Sequence, residues 1–169
     1  MENTKGSPGE GIERPPMNVG GGSAEERVIR ALIDGFPQTV TDFRKVRDGF
    51  LRAKIERRNL YKACKMLRDQ LGFEHISMIT AVEYEDRFEL VYHIACYGSC
   101  LLLELITTTP KDDPSVDSVA EIWGGANWQE RESYDLMGIR FNNHPKLERI
   151  LLPKDFMFHP LRKSYKEGP

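Results

Sequence analysis

The alternation of apolar and polar positions divides the chain into short elements between residues 23 and 153. Ser23, followed three residues on by Glu26, is the pattern of a capping box, and Val28, Ile29, Leu32 and Ile33 give the helix it opens one apolar face. Gly35 stops that helix and Phe36-Pro37 turns the chain away. Residues 49–56 alternate: Leu51, Ala53 and Ile55 point one way, Arg52, Lys54 and Glu56 the other, which predicts a half-buried strand. Asn59 can cap a second helix, on which Leu60, Ala63, Cys64, Leu67 and Leu71 recur at helical spacing before Gly72.

Residues 75–108 read as three strands. In the first, Ile76, Met78, Thr80 and Val82 alternate with Ser77, Ile79, Ala81 and Glu83. After a turn at Glu85-Asp86, Phe88, Leu90, Tyr92 and Ile94 share a face, and after a turn at Tyr97-Gly98 so do Leu101, Leu103 and Leu105. Such short turns predict an antiparallel meander. With the 49–56 strand this gives an α+β fold: a mixed, mostly antiparallel four-stranded sheet with helices packed on one face. Ser115 can cap a short helix carrying Val116, Val119 and Trp123, broken by Gly124-Gly125.

The stretch from Glu130 to Pro153 holds four acidic and four basic residues among apolar ones. Asn127 is placed to cap its helix, with Glu130 at the third helical position, and Gly138 is placed to end it. Trp128, Tyr134, Leu136 and Met137 fall on different sides of that helix, so no wide polar face remains. Some of Glu130, Arg131, Glu132 and Asp135 must therefore lie against protein. A buried charge persists when paired and hydrogen-bonded, since an isolated one costs several kcal/mol. Arg131 and Asp135, four apart, can pair, and Arg149 is a candidate partner from outside the helix. Nearby carboxylates are also the raw material of acid–base catalysis, but no nucleophile or substrate-cradling loop adjoins them. A structural ion-pair network is the simpler reading.

Beyond Gly138, Ile139 and Phe141 suit a short strand, Asn142-Asn143 a turn, and His144-Pro145 an extended path. Pro153 limits the apolar Ile150-Leu151-Leu152 to a sheet edge or end. Residues 154–169 carry Phe156, Met157, Phe158, Leu161 and Tyr165 without helical period, and Pro160 and Pro169 interrupt them. Large apolar residues on an irregular arm make sense if the arm lies on another subunit. His144 and His159 each precede proline and are read as hydrogen-bonding turn residues. The expected organisation is a Gly/Pro-rich flexible tail over 1–22, an α+β domain over 23–153 and an extended docking arm over 154–169.

Composition narrows the function further. Net charge is −2, so nucleic-acid binding cannot rest on overall charge. Residues 44–68 nevertheless hold ten Lys or Arg against Asp48 and Glu56, a local balance of +8. That face suits solvent, an acidic protein partner or, last, nucleic acid, since no RNA-recognition or zinc-finger spacing accompanies it. No apolar run approaches the ~20 residues of a membrane span, and Met1–Pro16 lacks the apolar segment of a secretory leader. Cys64, Cys96 and Cys100 read as reduced thiols, with no second ligand pair to make a metal site. Phosphate-binding, dinucleotide and hydrolase motifs are absent.

The order Glu130-Arg131-Glu132, Asp135, Gly138-Ile139, Phe141, His144-Pro145, Leu147, Arg149-Ile150-Leu151 resembles the signature of the C-subunit family of NADH-quinone oxidoreductase (complex I). That family includes the corresponding small subunits of membrane-bound nickel–iron hydrogenases and sulfur reductases. His159-Pro160-Leu161-Arg162-Lys163 resembles a further family element. Glu148 stands where a second arginine is common, and Phe156 and Phe158 where tryptophan and glycine are common. The resemblance implies a non-catalytic scaffold subunit on the cytoplasmic face of an ion-translocating membrane complex, with no cofactor or metal of its own. It implies docking on the large, hydrogenase-like subunit beside iron–sulfur subunits, with iron–sulfur clusters and a nickel–iron or quinone site in those partners. The interface residues it implies are Glu130, Arg131, Glu132, Asp135, Gly138, His144, Pro145, Arg149, Phe156, Phe158, His159, Pro160 and Arg162. The short chain with its Gly/Pro-rich tail leans toward the hydrogenase or sulfur-reductase branch.

Overall fold

The computed structural model describes residues 22–166. The expected flexible tail, residues 1–22, lies outside the described residues save for Gly22. Helix α1 (Ala24–Gly35) opens with the capping box: Glu26 N–H donates to Ser23 Oγ, and Ser23 N–H to the Glu26 carboxylate. Its buried face is Val28 and Leu32, whereas Ile33 is exposed, so the apolar stripe is narrower than its sequence suggests.

Strand β1 (Val40–Arg47) pairs antiparallel with β2 (Phe50–Ile55) across the turn at Asp48-Gly49. Gly49 has φ +72°, and a Cβ there would sit 2.8 Å from the Cys100 carbonyl oxygen, so both conformation and space require glycine. Helix α2 (Leu60–Leu71) buries Leu60, Ala63, Cys64 and Leu67 and ends at Gly72 in the left-handed conformation. Its predicted cap, Asn59, occupies the N-cap position without a side-chain hydrogen bond. The meander follows as β3 (His75–Glu83), β4 (Arg87–Cys96) and β5 (Leu101–Pro110).

The sheet has five strands in the order β1-β2-β5-β4-β3, antiparallel except for β2 beside β5. The α+β class and one-faced helix packing follow the sequence reading, but the strand count is five rather than four. The additional strand is β1. It is an edge strand with six of eight residues exposed, so it carries no apolar alternation to detect. Its place is fixed through charge: Glu25 of α1 accepts from Gly49 N–H and pairs with Lys45 at 2.8 Å.

Two other expectations are corrected. The alternation along β3 breaks at a bulge between Ile76 and Met78. Ile76, Ile79 and Glu83 consequently face the core, and Met78, Thr80 and Val82 face out. The segment beginning at Ser115 is not a helix but a short strand, β6 (Ser115–Asp117), followed by turns. It pairs in parallel with β7 (Arg140–Asn142), the strand expected around Ile139 and Phe141. The hydroxyl of Thr109 accepts from Ser115 N–H, so a hydrogen bond from the preceding strand takes the N–H that a helical turn would leave free.

Candidate functional site

Helix α3 (Ala126–Met137) runs along β3 and supports everything C-terminal to it. It starts one residue earlier than Asn127 would allow, with Gly125 at the N-cap position. Glu130 is therefore not at the third helical position, and its carboxylate turns away from the helix end. Gly138 closes the helix at φ +71°. A Cβ at Gly138 would come within 2.6 Å of His159 Nε2 and Arg162 Nη2, so this glycine also makes room for the C-terminal arm.

Asp135 is the centre of the site. It is fully buried, and Oδ2 accepts three consecutive backbone N–H groups, from Ile150 at 3.0 Å, Leu151 at 2.8 Å and Leu152 at 2.9 Å. Oδ1 pairs with Arg149 Nη1 at 2.5 Å. Burial alone would raise the Asp135 pKa. The N–H groups of Leu152, Leu151 and Ile150, with Arg149, outweigh it and bring the pKa down to about 2. Residues 150–152 are thus not an edge strand: their N–H groups are committed to one carboxylate.

The arm is fastened around the same helix. His159 Nδ1 donates to the Asp135 carbonyl, Leu161 N–H to the Leu136 carbonyl, and Arg162 Nε to the Met137 carbonyl. These are the last carbonyls of α3, which have no helical partner of their own. Arg149 Nη2 donates to the Phe158 carbonyl, and its guanidinium lies over the Phe156 ring. Phe156 and Phe158 pack with Tyr165, and Pro160 is half-buried. Farther along, Lys163 N–H donates to Glu83, which Lys111 also holds at 2.5 Å. Burial works against the Glu83 charge, but Lys111 and the Lys163 N–H prevail and lower its pKa.

Glu130, also fully buried, lies five residues before Asp135 in a different environment. It accepts from the Ser118 hydroxyl at 2.5 Å and from Val119 N–H at 2.7 Å. The nearest candidate cation is His144, with Nε2 at 3.9 Å and its side chain buried. His144 Nδ1 accepts from Lys146 N–H, and Nε2 lies 3.1 Å from the Asn127 carbonyl, which can only accept. Both nitrogens are satisfied by the neutral Nε2–H tautomer. Burial lowers the His144 pKa further, against the opposing pull of the Asn127 carbonyl. Glu130 therefore has no cation, and burial raises its pKa to about 7 despite the Ser118 and Val119 hydrogen bonds.

The remaining expected residues separate. Arg131 does not pair with Asp135: it bonds the Glu148 and Arg149 carbonyls and lies over the Trp128 ring, as its spacing from Trp128 suggested. Asp135 is instead taken by Arg149, because the loop carrying Arg149 approaches from the side that also supplies three N–H groups. Glu132 is exposed on the wall of a groove of about 380 Å³ between β3 and α3, and Pro145 is exposed beside buried His144. Sequence reasoning missed Ser118, Val119, Glu83 and Lys111, which reach the site only through tertiary contacts.

Among the described residues, no cluster of three or more His, Cys, Asp or Glu could hold a metal ion, and no helix is long and apolar enough to cross a membrane. Of the ten cations in 44–68, seven are ion-paired; Lys45, Arg52, Lys54 and Arg57, for example, hold Glu25, Glu104, Glu89 and Asp113. Carboxylates of the same chain thus neutralise most of this run.

Comparison with known proteins agrees with the local architecture. The chain is 37% identical over 145 residues to the C subunit of the F(420)H(2) dehydrogenase of Methanosarcina mazei, covering 84% of this chain and 92% of that one. It is 38% identical over 148 residues to the C subunit of the NADH-quinone oxidoreductase of Geobacter sulfurreducens, covering 85% and 91%. Among solved structures, the trypsin-resistant fragment (1-134) of Nqo5 superposes with a TM-score of 0.61 at 28% identity, covering 73% of this chain and 99% of the fragment. A component of the membrane-bound sulfane sulfur reductase, an archaeal respiratory membrane complex, shares the fold with a TM-score of 0.73 at 22% identity, over 83% and 85% of the two chains. The family model for the respiratory-chain NADH dehydrogenase, 30 Kd subunit, matches residues 53–169, a span that includes the whole Asp135 site, and the chain belongs to that family.

Proposed function

We propose that the chain is a non-catalytic scaffold subunit of a membrane-bound, ion-translocating multisubunit oxidoreductase, docked on the large hydrogenase-like subunit beside the iron–sulfur subunits. One observation carries this reading. The arm's backbone is fixed to α3 and β3 by hydrogen bonds, yet its apolar side chains point outward, with Met157 81% and Phe158 61% exposed. A rigid backbone presenting large apolar groups to water suits a preorganised contact surface.

The buried charges fit the same role. Asp135 is saturated with donors and cannot readily accept a proton from substrate, and Glu130 is sealed inside the fold. The chain is read as holding no cofactor, the clusters and the quinone or nickel–iron site belonging to partner subunits. Its attachment to the cytoplasmic face of the membrane is read as passing through those subunits. Identities of 37–38% with the dehydrogenase relatives, over more than four-fifths of the chain, favour the dehydrogenase branch over the hydrogenase or sulfur-reductase branch toward which the tail leans.

Affinity purification of the tagged full chain from its own cells tests the proposal. The large subunit and iron–sulfur subunits are expected in stoichiometric amounts, and Asp135→Ala is expected to reduce them severalfold. A well-folded monomer that brings down no redox subunit would overturn it.

A further inference from the structure

The cations of the arm differ from the other basic run in one respect. Seven of the ten in 44–68 have carboxylate partners within the chain. Among the described residues of the arm, Lys154, Arg162, Lys163 and Lys166 have none within ion-pair distance, the Arg162 guanidinium being bound to backbone carbonyls. Arg131 likewise bonds only carbonyls. Against these five cations stand two carboxylates without a cation, Glu132 and Asp155. The local excess is therefore +3 on a chain of net charge −2.

These charges border a set of exposed apolar groups. Trp128 and Arg131 stack on α3, Leu151 follows the loop that Asp135 holds, and Met157, Phe158 and Leu161 project from the arm. Hydrogen bonds join these segments into one surface: Arg131 to the 148–149 carbonyls, Arg149 to Phe158, and Leu161 to Leu136. An apolar centre with arginine, tryptophan and a charged rim is the composition of an interface core.

We infer that the arm surface docks on a protein surface with an apolar centre and an acidic rim, whose carboxylates complete the ion pairs that Lys154, Lys163 and Lys166 leave open. The inference rests on the scaffold reading above and supplies the chemistry of the partner. A second copy of the chain fits poorly, because an isologous contact would oppose like charges. An anionic membrane also fits less well. The apolar groups stand on irregular backbone fixed to the domain, not on the amphipathic helix that lies in a bilayer interface.

The test uses the full chain, the purified large subunit of the same complex, and the triple variant Lys154→Glu/Lys163→Glu/Lys166→Glu. Its exposed positions leave the thermal midpoint unchanged, and the corresponding triple glutamine variant serves as a second, milder probe. Wild-type affinity is expected to weaken about tenfold between 50 and 500 mM NaCl, and the glutamate variant about a hundredfold at the lower salt, with glutamine intermediate. Failure of the wild type to bind the large subunit at all would overturn the scaffold reading itself. Binding within twofold for all three chains, without salt dependence, would overturn only the acidic rim. Wild-type co-sedimentation with vesicles containing phosphatidylglycerol, abolished by the glutamate variant, would assign the surface to a membrane and overturn the protein partner.

Discussion

Glu130 and Asp135 sit on one helix, both fully buried, and differ in what surrounds them. Asp135 meets three N–H groups and a guanidinium; Glu130 meets one hydroxyl, one N–H and a neutral imidazole. One is brought to a pKa of about 2 and the other raised to about 7. Burial is common to both, so the number and charge of the donors decide the outcome. Asp135 is the carboxylate that ties elements together, whereas Glu130 holds the 118–119 turn.

The comparison is broken most severely at Asp135. Asp135→Ala leaves Arg149 and three N–H groups without their acceptor and is expected to cost about 3–5 kcal/mol, measured as a shift of the urea midpoint. If the midpoint moved by less than a quarter of that, Asp135 would not be the hub.

The two carboxylates should then part with pH. The folded pKa of Asp135 is depressed, so its contribution is present above pH 3.8 and is lost as pH falls through about 2, roughly 2 kcal/mol in all. The folded pKa of Glu130 is raised, so the native state holds the extra proton. Stability should fall as pH rises from 4.5 through about 7, by about 2–3 kcal/mol. Glu130→Gln should remove that slope, being more stable than wild type at pH 8 and close to it at pH 4.5. Identical slopes for the two chains in denaturation across this range would refute the assignment.

Gly138→Ala is expected to cost about 2 kcal/mol, from left-handed strain and from crowding His159 and Arg162. Limited proteolysis should cut the arm of this variant faster than that of wild type; equal rates would mean the arm does not depend on the glycine. The smallest effect is expected at Arg131→Ala, about 1 kcal/mol in stability, because its partners are carbonyls that water can replace.

The sheet and its helices were legible because β2, β4 and β5 alternate and α1 to α3 carry end signals in their own residues. β1 was not, since an edge strand needs no apolar pattern, and neither was the β3 bulge, which reverses the faces without changing composition. At the site, Arg149 and Gly138 could be named because the charged helix required a cation and a stop. Ser118, Glu83 and Lys111 could not, because each becomes relevant only when distant segments meet. The unsuspected neutrality of His144 is a matter of hydrogen-bond direction, on which sequence is silent.

The Glu83–Lys163 hydrogen bond spans 80 positions, joining the middle of the chain to its last described turn. During synthesis Glu83 leaves the ribosome long before residue 163 does. The sheet can form first, with Lys111 as the only cation for Glu83 among the described residues, while the end of α3 still exposes the carbonyls that the arm will occupy. The docking surface is thus completed last, which withholds its exposed apolar groups in their binding arrangement until the domain beneath them has folded.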